Sequence, residues 1–132
     1  MTTVLVVDDV ALFRQGLAAA LTGEGFEVTG QAGDGESAVA ESETLQPDVI
    51  VLDILMPGLS GLDAVEKIHA VSPDSRVVLL TSSESEEDLL FGIKVGVRGY
   101  LNKDSSFEEL AQAITDVVAG GAVVRAWLRW LR

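Results

Sequence analysis

A chain of 132 residues with 48% hydrophobic content is long enough for one domain with a buried core. Asp and Glu number 21 against 9 Lys and Arg, and a net charge of −12 would repel nucleic-acid phosphates, so we expect no DNA binding by this chain itself. The absence of cysteine excludes disulfides, zinc thiolate sites and thiol nucleophiles, which suits a reducing cytoplasm. The first apolar run is too short, and too soon followed by acids, for a signal peptide or membrane span. We therefore expect a cytoplasmic protein without membrane association.

Short runs rich in β-branched residues alternate with amphipathic stretches. The runs predict five strands, at Val4–Val7, Phe26–Ala32, Val49–Leu52, Val77–Leu80 and Gly99–Leu101. Apolar spacings of three and four predict five helices, at Leu12–Leu21, Glu36–Leu45, Leu62–Val71, Glu86–Val95 and Phe107–Val118. The first, third and fourth strands are continuously apolar, which indicates that both faces of the sheet are covered. The strict alternation predicts a doubly wound α/β domain with a parallel five-stranded sheet.

The segment after Gly120–Gly121 differs in character. Ala122–Arg132 places arginines at helical spacing beside tryptophans and leucines. We interpret it as the start of an interdomain linker or as residues added to the natural chain, and it is too short to favour a membrane-surface helix. Trp127 and Trp130 are interpreted as packing or linker residues, not as a nucleotide-stacking site. The predicted domain therefore spans 1–121, with 122–132 as a linker or tail.

Polar side chains follow the predicted strands where each strand ends. They are Asp8, Asp9, Asp53, Thr81 and Lys103. Ligands of doubly wound sheets bind at this carboxyl edge. Each residue has a structural explanation by itself, because Asp9 can cap the next helix, Thr81 can cap or turn, and Lys103 can be solvated. Together, however, three carboxylates at one edge repel each other unless a cation or Lys103 compensates them.

A divalent cation resolves this repulsion. Mg²⁺ prefers oxygen ligands and retains several waters, so carboxylates, a backbone carbonyl and a phosphoryl oxygen suit it. A carboxylate can attack phosphorus in line, and the remaining task is to neutralise the phosphoryl oxygens. Mg²⁺, Lys103 and the Thr81 hydroxyl can each take one oxygen. The sequence thus predicts a site for phosphoryl transfer to a carboxylate.

Four segments at these strand ends resemble the receiver domains of response regulators. They are Val6–Asp9, Val51–Gly61, Leu79–Ser83 and Gly99–Asp104, in that order, and the resemblance extends from residue 4 to about 120. It implies a flavodoxin-like sheet with strand order 2-1-3-4-5. It also implies a phosphorylation switch of two-component signalling, phosphorylated by a sensor histidine kinase, and not an enzyme beyond assisting its own phosphorylation and slow dephosphorylation.

The resemblance also implies residue roles. Asp53 would be the phosphoacceptor, and Asp9 and Asp53 would ligate Mg²⁺ together with the Leu55 carbonyl. Asp8 would help through water, and Lys103 would pair with the phosphoryl group. Thr81 would move toward a phosphoryl oxygen, leaving room for Tyr100 to swing inward. This movement would reshape the surface formed by the fourth helix, the fifth strand and the fifth helix, a surface through which such proteins form phosphorylation-dependent homodimers.

One position departs from the common receiver pattern. Many receivers have a proline after the lysine, which supports a cis peptide bond, whereas this chain has Asp104, and a non-proline cis bond costs about 3 kcal/mol. The Lys103–Asp104 pair is typical of NarL/LuxR-type regulators, and the motif Gly33–Glu36 also fits that subgroup. Such regulators carry a C-terminal helix-turn-helix domain. We therefore expect any DNA contact to come from a domain absent from this chain.

Three other functions would share the fold or part of this chemistry. A flavodoxin-like cofactor binder needs phosphate-binding amides after the first strand, where Asp8–Ala11 would repel phosphate. A haloacid-dehalogenase-type phosphatase needs a second Asp two positions after the nucleophile, where this chain has Leu55. A degenerate receiver acting only as an interaction module stays open, although all five key residues are present. His69 is interpreted as a surface histidine.

The residues flanking the site predict a long-lived acyl phosphate. Hydrolysis needs a water in line with the bond from Asp53 to phosphorus. By the resemblance, Leu55 and Ser83 flank that approach. Leu55 offers no hydrogen bond and shields the phosphoryl group, and the Ser83 hydroxyl is short for holding a water. A slow switch suits transcriptional output.

Overall fold

The computed structural model describes residues 1–56, 58–82 and 85–121. Within them five strands alternate with five helices. The strands are β1 (Thr3–Val7), β2 (Glu27–Ala32), β3 (Val49–Leu52), β4 (Arg76–Thr81) and β5 (Gly99–Asn102). The helices are α1 (Ala11–Gly23), α2 (Gly35–Leu45), α3 (Gly61–Val71), α4 (Glu86–Lys94) and α5 (Phe107–Val118). The predictions for Ser83, Trp127, Trp130 and the segment 122–132 fall outside the described residues.

The strands form one parallel sheet in the order β2-β1-β3-β4-β5, which confirms the predicted fold class. Successive side chains of a strand point to opposite faces. Leu5 and Val7 accordingly pack in a cluster with α2, α3 and α4, whereas Val4 and Val6 pack in a second cluster with α1 and α5. Both faces are thus covered, as the continuous apolar runs predicted. None of the described helices is long and apolar enough to cross a membrane.

The observed strand bounds differ from the predicted ones by one residue at several ends. β4 begins at Arg76, because its backbone N–H donates to the Asp48 carbonyl at 3.0 Å. Phe26 is not part of β2, because its N–H donates to the Leu21 carbonyl at 3.1 Å, at the end of α1. β5 extends to Asn102, which pairs with Thr81. Such ends depend on long-range hydrogen bonds that local patterns do not contain.

Side-chain caps start four of the five described helices. Asp34, Ser60, Ser85 and Ser106 each accept a backbone N–H in the first turn of the helix that follows. α1 differs, because its N-cap is Val10 and no side chain caps it. The alternative in which Asp9 caps this helix is therefore wrong. Instead the Val10 N–H donates to Asp8 Oδ1 at 2.8 Å, which leaves the exposed Asp9 carboxylate for other partners.

Candidate functional site

Three carboxylates meet at the carboxyl edge of the sheet. Asp8 and Asp53 directly follow the neighbouring strands β1 and β3, and their backbone N–H groups continue the strand ladder to Ala32 and Val7, both at 3.1 Å. Each of Asp8, Asp9 and Asp53 offers an oxygen that lies within 4.8 Å of the other two. Asp8 and Asp53 are buried, while Asp9 is exposed. The sequence-predicted carboxylates are thus brought together as an open-sided oxygen cluster.

Lys103 bridges two of these carboxylates. Its Nζ lies 2.9 Å from Asp8 Oδ2 and 3.0 Å from Asp53 Oδ2, with only 21% of the lysine side chain exposed. The Lys103 N–H donates to the Thr81 carbonyl at 2.9 Å, which anchors the start of the loop after β5. The peptide bond to Asp104 is trans. Lys103 therefore reaches the site without the proline that many receivers have at the next position.

Burial and charge act against each other in this cluster. Burial raises the pKa of Asp53, and the nearby Asp8 charge adds to this, although the Leu55 N–H and Lys103 oppose it. For Lys103 burial works to lower the pKa, but hydrogen bonds and charge from Asp8 and Asp53 outweigh it, so the pKa lies above its usual value. One lysine thus compensates three crowded acids only in part. The arrangement favours binding a further cation.

The loop after Asp53 is held by a close backbone approach. The Leu55 N–H donates to Asp53 Oδ1 at 3.1 Å, and the Gly61 N–H donates to the Ile54 carbonyl at 3.2 Å. A Cβ at position 61 would collide with the Asp53 carbonyl oxygen and with Ile54 Cα. Only glycine therefore allows α3 to begin against the backbone of Asp53. The Leu55 side chain is 53% exposed beside the site.

Thr81 and Tyr100 lie inside the protein. Both are buried, at 0% and 2% exposure. Tyr100 pairs with Leu79, and Thr81 is two residues beyond Leu79, so Tyr100 and Thr81 are diagonal neighbours on the same face of the sheet. The resemblance predicted an inward swing of Tyr100, and this structure already has Tyr100 in the interior.

His69 lies outside the site. It is half-buried in a cleft near the end of the sheet opposite to the acidic cluster.

Two residues in the first turn of α1, Phe13 and Arg14, also contact the site, although no sequence pattern indicated this. Arg14 Nη1 donates to the Asp8 carbonyl at 2.8 Å, and its Nε donates to Gln31 Oε1 at 3.2 Å, so it ties the loop of Asp8 and Asp9 to β2. Phe13 places its ring centroid 4.6 Å from Lys103 Nζ. The only sequence signal was their position just after the two aspartates, because nothing local connects Phe13 with Lys103.

Comparisons with known proteins agree with this geometry. The response regulator receiver domain model matches residues 4–115. The response regulator GacA of Pseudomonas aeruginosa is 40% identical over 91% of this chain and 56% of its own length, and the nitrate/nitrite response regulator protein NarL of Escherichia coli is 36% identical over 92% and 57%. The chain thus spans about half the length of these relatives.

Solved structures are similar over almost the whole chain. The receiver domain of a putative response regulator NarL from Mycobacterium tuberculosis superposes with a TM-score of 0.85 at 32% identity, covering 90% of this chain and 97% of its own. A LuxR-family response regulator from Aurantimonas gives 0.87 at 28% identity, covering 93% and 89%. The chain therefore belongs to the response regulator receiver domain family, as a signalling domain related to transcriptional regulators.

Proposed function

We propose that this receiver domain is a phosphorylation switch in which Asp53 accepts a phosphoryl group from a sensor histidine kinase. The observation that supports this most strongly is the position of Lys103, whose ammonium contacts Asp8 and Asp53 at once while Asp9 completes the acidic cluster. A buried nucleophilic carboxylate beside a fixed cation is what phosphoryl transfer requires, because positioning and charge neutralisation provide most of the catalysis.

The cluster fits Mg²⁺ by its donor atoms. Three carboxylates supply hard oxygen ligands, and a single lysine leaves part of their charge uncompensated. Asp9, Asp53 and the Leu55 carbonyl would hold the ion directly, with Asp8 acting through water. The bound ion would neutralise charge on the transferring phosphoryl oxygens.

The residues of this chain carry the transfer. An Asp53 carboxylate oxygen forms a bond to phosphorus while the bond from phosphorus to the kinase histidine nitrogen breaks, and that bond pair stays on the imidazole, which takes up a proton. Lys103, now contacting a phosphoryl oxygen, compensates charge at the acceptor. The Thr81 hydroxyl, at the end of β4, donates to another oxygen. Slow hydrolysis of the acyl phosphate would reset the switch.

The output would be a change in the surface formed by α4, β5 and α5. Displacement of Thr81 toward the phosphoryl group would keep Tyr100 in the interior and stabilise one packing of α4. Leu90 and Ile93 of α4 are 49% and 38% exposed, which gives this surface apolar area for a second copy of the chain. Phosphorylation would thereby favour a homodimer. Transcription would be controlled through a separate DNA-binding domain. Residues 122–132 would serve as the linker to that domain.

Intact mass spectrometry tests the proposal. With acetyl phosphate and Mg²⁺, the wild-type protein should gain one phosphoryl group and Asp53→Asn should gain none, because an amide cannot attack phosphorus. Asp63→Asn removes an exposed carboxylate from the first turn of α3 and should behave as wild type. Equal uptake by wild type and Asp53→Asn would refute the assignment, and no uptake by either would favour an interaction module.

Sedimentation tests the dimer separately. Beryllofluoride with Mg²⁺ should shift the wild-type protein from monomer toward dimer, and the shift should be lost in Asp53→Asn. An unchanged profile at high protein concentration would argue for a different output surface.

A further inference from the structure

We propose that Phe13 is a positioning residue for Lys103, holding its ammonium over the aromatic ring while the carboxylates change partners. The inference rests on the proposed function, since it concerns the phosphoryl transfer to Asp53. It starts from one contact, the 4.6 Å between Lys103 Nζ and the centroid of the Phe13 ring. Cations within about 6 Å of an aromatic face are attracted by the ring quadrupole.

The Phe13 ring is also held by apolar packing. Phe13 lies in the first turn of α1 and packs, partly buried, against the apolar cluster between the sheet, α1 and α5. The next residue, Arg14, fixes the same region by its bond to the Asp8 carbonyl. The start of α1 is thus attached to the acidic site at two successive residues. The Phe13 ring therefore has a fixed position, and its contact with the Lys103 ammonium restricts the positions that this long, flexible side chain can adopt.

The need for such a contact follows from the chemistry. Asp8 and Asp53 hold Lys103 in this structure. In the proposed reaction, however, Asp53 becomes bonded to phosphorus and Asp8 would help to hold Mg²⁺ through water, so both carboxylates would be withdrawn from the lysine. Phe13 takes no part in either change. Its ring attracts the ammonium without neutralising it, which leaves the full charge of Lys103 for a phosphoryl oxygen.

A substitution series separates this role from ordinary packing. Phe13→Leu keeps the apolar bulk and removes the quadrupole, Phe13→Tyr keeps both, and Phe26→Leu is the matched control, because Phe26 packs partly buried against the same cluster. At saturating Mg²⁺ and acetyl phosphate, Phe13→Leu should lower the phosphorylation rate about three- to tenfold. Phe13→Tyr and Phe26→Leu should stay within about twofold of wild type. Mg²⁺ affinity without phosphoryl donor should change little in all three, because none of them is a ligand.

A second readout does not depend on turnover. The Phe13 ring should shift the NMR signals of the Lys103 ε-methylene, and this shift should disappear in Phe13→Leu but persist in Phe26→Leu, both without ligand and with beryllofluoride. Loss of the shift on adding beryllofluoride to the wild type would overturn the inference, because the lysine would then have left the ring.

The rates separate the remaining outcomes. If the wild-type protein is phosphorylated on Asp53 and Phe13→Leu reacts as fast, only the role of Phe13 is wrong. If Phe13→Leu and Phe26→Leu slow the reaction equally, the effect is packing and the inference is refuted. If the wild-type protein takes up no phosphoryl group, the proposed function fails and this role fails with it.

Discussion

The two ends of the parallel strands bury different kinds of polar group. We call the end at which the strands finish the carboxyl edge and the end at which they begin the amino edge. At the carboxyl edge, Asp8 and Asp53 are buried ions that share one lysine. At the amino edge, Ser72 and Ser75 are buried neutral hydroxyls that form hydrogen bonds with each other and with Gln46 and Pro47. Ion burial is expensive unless the charge is well compensated, whereas a satisfied neutral network costs little. The difference indicates that the amino edge stabilises the fold and that the carboxyl edge is built for a ligand.

The amino-edge network joins the ends of α2 and α3. Ser75 Oγ donates to the Pro47 carbonyl and lies 2.6 Å from Ser72 Oγ. Gln46, whose left-handed backbone ends α2, donates its side-chain amide to the Val71 carbonyl at 2.9 Å, and its Oε1 accepts from Ser72 Oγ at 3.3 Å. Each of these groups has a partner within the chain, so this edge needs no ligand to complete it.

The largest effect expected at the carboxyl edge is on metal affinity. Asp9→Ala should weaken Mg²⁺ binding at least about a hundredfold, because it removes one of the proposed direct ligands. The metal-free variant should melt at the wild-type temperature or above, since one of three crowded charges is gone. Isothermal titration calorimetry and a thermal melt in chelator measure the two quantities. Equal Mg²⁺ affinity in wild type and variant would contradict the site.

The corresponding change at the amino edge should act on stability alone. Ser75→Ala leaves the Pro47 carbonyl and Ser72 hydroxyl short of a partner, which should lower the free energy of unfolding by about 1–3 kcal/mol. Phosphate uptake should persist. Thr44→Ala, on the exposed side of α2, is the control and should change stability by less than about 0.5 kcal/mol. Urea unfolding gives both values. If Ser75→Ala left the free energy of unfolding unchanged, the amino-edge network would not stabilise the fold and the contrast between the two edges would be wrong.

The pH dependence of stability distinguishes a carboxylate whose ionised form destabilises the fold from one whose ionised form stabilises it. Burial raises the pKa of Asp53, so the contribution of Asp53 to stability should fall as pH rises above 3.8, because this residue ionises in the unfolded chain before it ionises in the folded protein. Asp53→Asn should therefore be more stable than wild type at pH 7, with a difference that closes toward pH 3. Unfolding curves in chelator at several pH values measure this. A difference that widens in acid would refute the sign.

Asp34, the N-cap of α2, provides the opposite case. The Ser37 N–H lowers the pKa of Asp34, so its contribution to stability is present above 3.8 and is lost as pH falls through the lowered value. Asp34→Ala should thus be less stable than wild type at pH 7, and part of that difference should disappear in acid. The two aspartates should give differences of opposite sign at neutral pH.

The smallest effect concerns the lifetime of the acyl phosphate. Leu55→Asn should speed phosphate release by a few fold, because an amide beside Asp53 can orient the attacking water that leucine cannot. Leu12→Asn introduces the same amide at an exposed position in the first turn of α1 and should leave the rate unchanged. Release is measured on purified phosphoprotein without kinase. If Leu55→Asn releases phosphate no faster, shielding by Leu55 does not set the lifetime.

The sequence by itself determined the order of the elements and the chemistry of the strand ends. Apolar runs and helical spacing are local properties, so they predicted a parallel sheet and placed Asp8, Asp53 and Lys103 after their strands. They also predicted that three acids would converge, because parallel strands end at one edge.

Only the tertiary structure decided which groups touch. The bridge of Lys103 between Asp8 and Asp53 and the Phe13 ring beside Lys103 join residues that are distant in the chain. The hydrogen bond from Arg14 to Gln31 likewise joins α1 to β2. The need for glycine at position 61 arises in the same way, from the backbone of Asp53 passing against α3. Contacts of this kind depend on how helices pack on the sheet, and packing is set by the whole set of buried side chains and not by any local pattern.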